Sequence, residues 1–188
     1  MSKLIPVLAA LMLLQGCAAA VVAGGATAVT AANDRRTLGS QIDDNGIVIK
    51  ARRALSQDSL TAKGSNINVT SYNGVILLAG QTPRSELKDL AAQTARGVQG
   101  VKKVYNELQV QRPASLLARS NDSLLTTKIK AQMVADSSVP SARVKVVTEN
   151  GIVYLLGLVT QQEAAHAVQL IQSVSGVQRI VKLFEYIN

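Results

Sequence analysis

The second half of this 188-residue chain repeats the first. Val69-Thr-Ser-Tyr-Asn-Gly-Val-Ile-Leu-Leu-Ala-Gly80 aligns with Val146-Val-Thr-Glu-Asn-Gly-Ile-Val-Tyr-Leu-Leu-Gly157 at one offset of 77, and Glu86 pairs with Glu163 at the same offset. Gly97-Val-Gln-Gly-Val101 answers Ser173-Val-Ser-Gly-Val177 at an offset of 76. Any fold for the chain must therefore be one that about 68 residues can build twice.

Each copy parses alike. Asn-Gly between apolar runs is a strong hairpin signal, because both turn residues tolerate positive φ. Ile67 and Val69, and Val144 and Val146, alternate with polar residues as half-buried strands do. Val75–Leu78 and Ile152–Leu156 are continuous apolar runs suited to central strands, with Gly80 and Gly157 expected to end them. Leu87, Leu90, Ala91, Thr94 and Val98 follow at helical spacing, as do Ala164, Ala167, Val168, Ile171 and Val174. Val104, Leu108 and Val110, and Ile180, Phe184 and Tyr186, mark a last strand. A helix opens each copy, expected over Asn45–Gln57 and Ser123–Ala135. The class is α+β: two α-β-β-α-β units, each with two helices on a three-stranded mixed sheet. The spans are 43–111 and 120–188 with a linker over 112–119, and the pattern fits domains either packed together or loosely joined.

The N-terminus has a separate purpose. From Leu4 to Ala32 no charged residue occurs, which inflates the 47% hydrophobic content. Lys3, the apolar stretch Leu4–Leu14 and small Gly16 are the three parts of a secretory signal, too short to span a bilayer. Leu14-Gln15-Gly16-Cys17 is a lipobox, so residues 1–16 are expected to be removed and Cys17, the chain's one cysteine, to be acylated. Ala18 rather than Asp after the cysteine resembles lipoproteins exported to the outer membrane, facing the periplasm. Residues 17–42, rich in Ala, Gly, Val and Thr, are expected to be the acylated end and a flexible tether. Removing residues 1–16 lowers the net charge from +8 to +7 by taking away Lys3. A basic, exported body points to anionic lipid rather than nucleic acid.

Two units of this pattern behind a lipobox resemble the BON domain family, in its dual-BON outer-membrane lipoproteins. The resemblance covers the whole chain and includes Gln15-Gly16-Cys17, Asn121-Asp122, Thr148-Glu149-Asn150-Gly151 and Gly157-Leu158-Val159-Thr160. It implies a non-enzymatic protein that binds anionic phospholipid, of the phosphatidylglycerol or cardiolipin class, mainly through its second domain. It also implies support of outer-membrane integrity and of events at the division site. The alternative is a protein-interaction role, such as assisting the machinery that assembles outer-membrane β-barrels.

The sequence has its own argument for the second domain. Leu125, Ile129 and Met133 form the core stripe of its first helix, leaving Leu124, Lys128, Ala131 and Val134 along a neighbouring face, with Lys130 further round and Arg119 just before. In the first copy that face reads Gly46, Lys50, Arg53 and Ser56, without the apolar ends. Two uses of the stripe are open on pattern alone. Its apolar ends dip among acyl chains while the bases meet head-group phosphates; or Leu124 staples the helix start and Val134 packs on the other domain. The helix has no Trp or Phe, so lipid binding would be weak and charge-dependent, with each base adding about 1 kcal/mol.

Catalysis and metal binding have little to work with. His166, the single histidine, has no motif-paired nucleophile, and Asp43-Asp44 reads as a helix start. Neither cofactor nor metal is expected, and the pairs Arg35-Arg36, Arg52-Arg53 and Lys102-Lys103 read as solvated faces.

Overall fold

The computed structural model describes residues 34–57 and 64–188; residues 1–16, Cys17 and most of the expected tether lie outside them. The first unit runs α1 (Leu38–Gln57), β1 (Asn66–Tyr72), β2 (Val75–Thr82), α2 (Ser85–Arg96) and β3 (Lys103–Val110). The second runs α3 (Leu116–Ala135), a short 3₁₀ turn (Ser141–Arg143), β4 (Val144–Glu149), β5 (Ile152–Val159), α4 (Gln161–Gln172) and β6 (Arg179–Tyr186). Each sheet is mixed. The hairpin strands pair antiparallel, and the central strand then pairs parallel with the last strand after the helical crossover. This is the α+β arrangement expected from the repeat.

Both opening helices begin seven residues earlier than expected, at Leu38 and Leu116. Residues 38–42, assigned to the tether, and 116–119, assigned to the linker, are helical. Equivalent caps explain the starts: Thr37 Oγ1 accepts the Ser40 N–H at 3.1 Å, and Ser115 Oγ accepts the Ala118 N–H at 3.2 Å.

Both hairpins turn as the Asn-Gly pairs predict, with positive φ at Asn73 and Gly74 (54° and 79°) and at Asn150 and Gly151 (50° and 70°). Gly80 and Gly157 do not end their strands. They sit inside β2 and β5, where a β-carbon would run into the backbone oxygen of Asn66 or Arg143. They are glycines because neighbouring backbone comes too close for a side chain, and Gly80 also has a φ of 119°. The last strands also depart from expectation. Leu108 and Phe184 are buried, but Val110 and Tyr186 are exposed, at the end of each ladder opposite Thr82 and Val159.

Each unit has its own helix-facing core. Ile47, Ala51, Leu55, Val69, Ile76 and Leu78 build the first; Ile129, Met133, Val146, Val153, Leu155 and Ile171 build the second. The opposite faces of the two sheets meet. Tyr72, Leu77 and Ala79 pack with Val147, Ile152, Tyr154, Leu156 and Leu183 in one shared cluster. The central strands are thus covered on both sides, which is why their apolar runs are unbroken. Residues 35–188 form one compact unit, helices outside and sheets within.

Polar contacts ring the shared cluster with an approximate twofold pattern. Asn73 Nδ2 donates to the Glu185 carboxylate at 3.1 and 3.3 Å, and Asn150 Nδ2 donates to Gln109 Oε1 at 3.4 Å. The Tyr72 hydroxyl donates to the Arg143 carbonyl at 3.2 Å, and the Arg36 guanidinium lies 3.8 Å over the Tyr72 ring. Burial within the cluster pushes the Tyr154 hydroxyl up to about 12.

Candidate functional site

The outer face of α3 exposes apolar side chains from one end to the other. Leu124 is 66% exposed and Val134 73%, so Val134 does not pack on the other domain. Ala131 is exposed between them. The earlier helix start adds Leu116 and Leu117, which are 82% and 73% exposed and had been assigned to the linker. Leu117 is one heptad before Leu124 and lies on the same face. Ile129 and Met133 are fully buried, and Leu125 is partly buried against the core, as the stripe predicted.

The contrast with α1 is weaker than the sequence suggested. Gly46 is half-buried, and Lys50, Arg53 and Ser56 are exposed and carry no large apolar group. A row rotated from theirs exposes Leu38, Ile42 and Ile49, each close to 70%. In α3 the equivalents of Ile42 and Ile49 are Ser120 and Thr127. Both opening helices therefore carry an apolar outer row, with Leu38 and Leu116 equivalent in the repeat, and only α3 extends its row round to the Leu124–Lys128 flank.

The six residues expected to touch lipid divide between two flanks of α3. Leu124 and Lys128 line a groove of about 710 Å³, closed by the Asn150-Gly151 turn and by Ser175 and Gly176 before β6. The Lys128 ammonium donates to Ser175 Oγ at 2.6 Å across it. Arg119 faces away from this groove. It lines a second cleft, of about 640 Å³, between α1 and β1 on one side and α3 and β4 on the other. Lys130 falls on that flank by helical position and is among the charges that act on Lys145 of β4. Ala131 and Val134 lie on the outer face between the flanks.

A buried aspartate in each opening helix fastens its hairpin turn. Asp44 accepts the N–H groups of Asn73 and Gly74 at 2.7 and 2.8 Å, and Asp122 those of Asn150 and Gly151 at 2.8 and 2.9 Å. Asp44 also receives the Ser71 hydroxyl at 2.6 Å and pairs with Arg36 at 2.8 Å. Burial would raise its pKa, but the hydrogen bonds from Ser71, Gly74, Asn73 and Arg36 outweigh that and hold the carboxyl below its ordinary value. Asp44 is thus a turn fastener rather than a helix start. The same Asp at an offset of 78 was the available signal, since it precedes its Asn-Gly pair by the same interval within one residue. His166 is half-buried on α4, its Nδ1 3.4 Å from the Ser138 carbonyl. Among the described residues no cluster of three or more His, Cys, Asp or Glu could hold a metal ion, and no helix is long and apolar enough to cross a membrane.

Comparison with known proteins matches this architecture. The BON domain model matches residues 43–112 and 121–188. The chain is similar to the outer membrane lipoprotein DolP of Haemophilus influenzae, 45% identical over 188 residues that cover all of this chain and 97% of that protein. It is also similar to a 21 kDa hemolysin of Actinobacillus pleuropneumoniae, 36% identical over 82% of this chain and 80% of that one. Osmotically-inducible protein Y of Escherichia coli is 33% identical over 76% of this chain and 72% of its own. With both repeats matched and the likeness running end to end, the chain belongs to the BON domain family as a dual-BON protein of the DolP type.

Proposed function

We propose that this protein is an outer-membrane lipoprotein, anchored through acylated Cys17 and facing the periplasm, whose second BON domain reads anionic phospholipid with the outer face of α3. The lipobox and the full-length likeness to a protein named as an outer membrane lipoprotein support the location. The lipid reading rests on one observation above the rest: Leu116, Leu117, Leu124 and Val134 stand exposed on one helix beside Lys128. Such a face buries its apolar side chains at the acyl boundary while the ammonium meets head groups. The acyl chains supply most of the residence, and the folded body selects for phosphatidylglycerol or cardiolipin charge. In the cell this reading gives a non-catalytic part in outer-membrane integrity, exercised at the division site.

Vesicle flotation of residues 18–188 tests the reading, because the folded body is then without its anchor. Binding to phosphatidylglycerol vesicles but not to phosphatidylcholine vesicles, lost in Leu124→Glu and kept in Ile49→Glu, is the expected result. The reverse pattern moves the contact to α1. No flotation at all leaves the exposed face of α3 as a surface for docking a protein, such as one of the outer-membrane assembly machinery.

A further inference from the structure

The cleft on the far flank of α3 brings three cations together with no close ion pair among the described residues. Arg52 reaches in from α1, Arg119 from α3 and Lys145 from β4. Among the described residues the Arg52 guanidinium donates one long bond, 3.3 Å to the Val69 carbonyl, and Lys145 donates to the Ser71 carbonyl at 3.1 Å. Among the described residues none of the three forms an ion pair within 4.0 Å. Two carboxylates also line the cleft; Glu149 feels the Arg119 charge at a distance, but neither makes a close ion pair with the three cations. Asp122 spends its oxygens on the second hairpin turn, and Glu149 takes a hydrogen bond from the Gln81 amide at 3.4 Å.

Lys145 shows the strain of this arrangement. It is the most enclosed of the three, and burial, reinforced by Arg36, pulls its pKa below the usual lysine range; Asp44 acts the other way, while Lys130 and Arg52 add to the lowering. Beside the two carboxylates the walls are polar, with Asn66 on β1 donating to Gln81, Asn68 on β1 bonded to Glu149, and Thr126 on α3 donating to the Asp122 carbonyl. Two guanidinium forks and an ammonium around one space suit a tetrahedral oxyanion.

We propose that this interdomain cleft binds a phosphate group, held by Arg52, Arg119 and Lys145. The site belongs to neither domain alone, since Arg52 comes from the first and the other two from the second. It lies on the opposite flank of α3 from the Leu124–Lys128 groove and stands independently of the lipid reading above. The phosphate comes either from a soluble phosphoester or from a lipid head group, and the two sources separate by experiment.

Residues 18–188, which include the whole compact unit from Arg35 to Asn188, are titrated with inorganic phosphate at constant ionic strength against chloride, following amide shifts by NMR. Saturable shifts along β1 and β4, weakened about tenfold in Arg52→Gln and in Arg119→Gln and unchanged in Lys128→Gln, establish the site for soluble phosphate. If inorganic phosphate does not saturate, but flotation on phosphatidylglycerol vesicles falls in both arginine variants, the source is the head group. Titration and flotation that both arginine variants leave intact overturn the proposal. Both substitutions are at exposed positions, and unchanged thermal melts confirm that folding is not at issue. Leu124→Glu separates the two hypotheses: it abolishes flotation if the lipid reading holds, and leaves the phosphate titration as it was in any case.

Discussion

Arg35, just before α1 of the first domain, forks onto Glu163 at the start of α4 in the second, with N–O distances of 2.6 and 3.1 Å. Arg143 approaches the same carboxylate at 2.5 Å, and Thr160 completes a capping box with it. The chain entering the first domain is thus fastened to the second before its own helix begins.

This junction makes stability depend on acid. Burial would raise the Glu163 carboxyl, but Arg35, the Thr160 N–H and Arg143 together bring it down to about 2. A group whose folded pKa lies below its unfolded value contributes fully above the unfolded value, 4.5 here, and loses that contribution as pH falls towards 2. Glu163→Gln is expected to cost about 1 kcal/mol at pH 7 by urea unfolding, with the gap to wild type closing below pH 4.5. A gap that stays constant down to pH 2 would sink this account.

Asp122→Ala leaves two turn N–H groups without an acceptor, one of them buried. An expected loss of about 2–4 kcal/mol follows from the cost of unsatisfied donors. Asp122→Asn, which keeps an acceptor oxygen, is expected to recover part of it. Equal losses for the two variants would show that the turn N–H groups are not what the carboxylate serves.

Gly157→Ala places a methyl group against the Arg143 carbonyl, which is backbone and cannot swing away. Destabilisation of about 1–3 kcal/mol is expected, as for overpacking elsewhere. If glycine is there only for chain flexibility, alanine stabilises instead, and thermal denaturation decides between the two.

Leu117→Glu puts a charge on the apolar outer row of α3 in a stretch that resembled a linker. It is expected to lower vesicle flotation as Leu124→Glu does, and wild-type flotation is expected to weaken between 50 and about 500 mM salt as head-group attraction is screened. Salt-insensitive flotation would assign the binding to apolar contact alone.

The repeat, the turns and the order of elements were legible because each rests on local chemistry: positive φ at Asn-Gly, helical spacing, and unbroken apolar runs. The helix starts at Leu38 and Leu116 were missed although Thr37 and Ser115 were in view as caps, because Leu38-Gly39 and Leu116-Leu117 continue no buried stripe. The runs at Val75–Leu78 and Ile152–Leu156 announced strands covered on both faces, but nothing local says that the second cover is the other copy. Arg119 was grouped with Lys128 by proximity in sequence, and the two lie on opposite flanks of one helix. Lys145 was the least visible of the cleft residues. In sequence it is only the polar partner in an alternating strand, and its enclosure beside Arg52 and Arg119 arises from the docking of two domains.

The sheet face shared by Leu77, Ala79, Tyr154 and Leu156 bears on how such a chain came to be. A single unit with this face uncovered could hide it only against another copy, and the extent of that pairing would rise and fall with abundance. Two copies in one chain hold each other at a fixed effective concentration, so a scarce molecule on a membrane stays as completely paired as a plentiful one. Duplication turns a homodimer into a single gene product, and frees each half to change its outer surface without consulting the other.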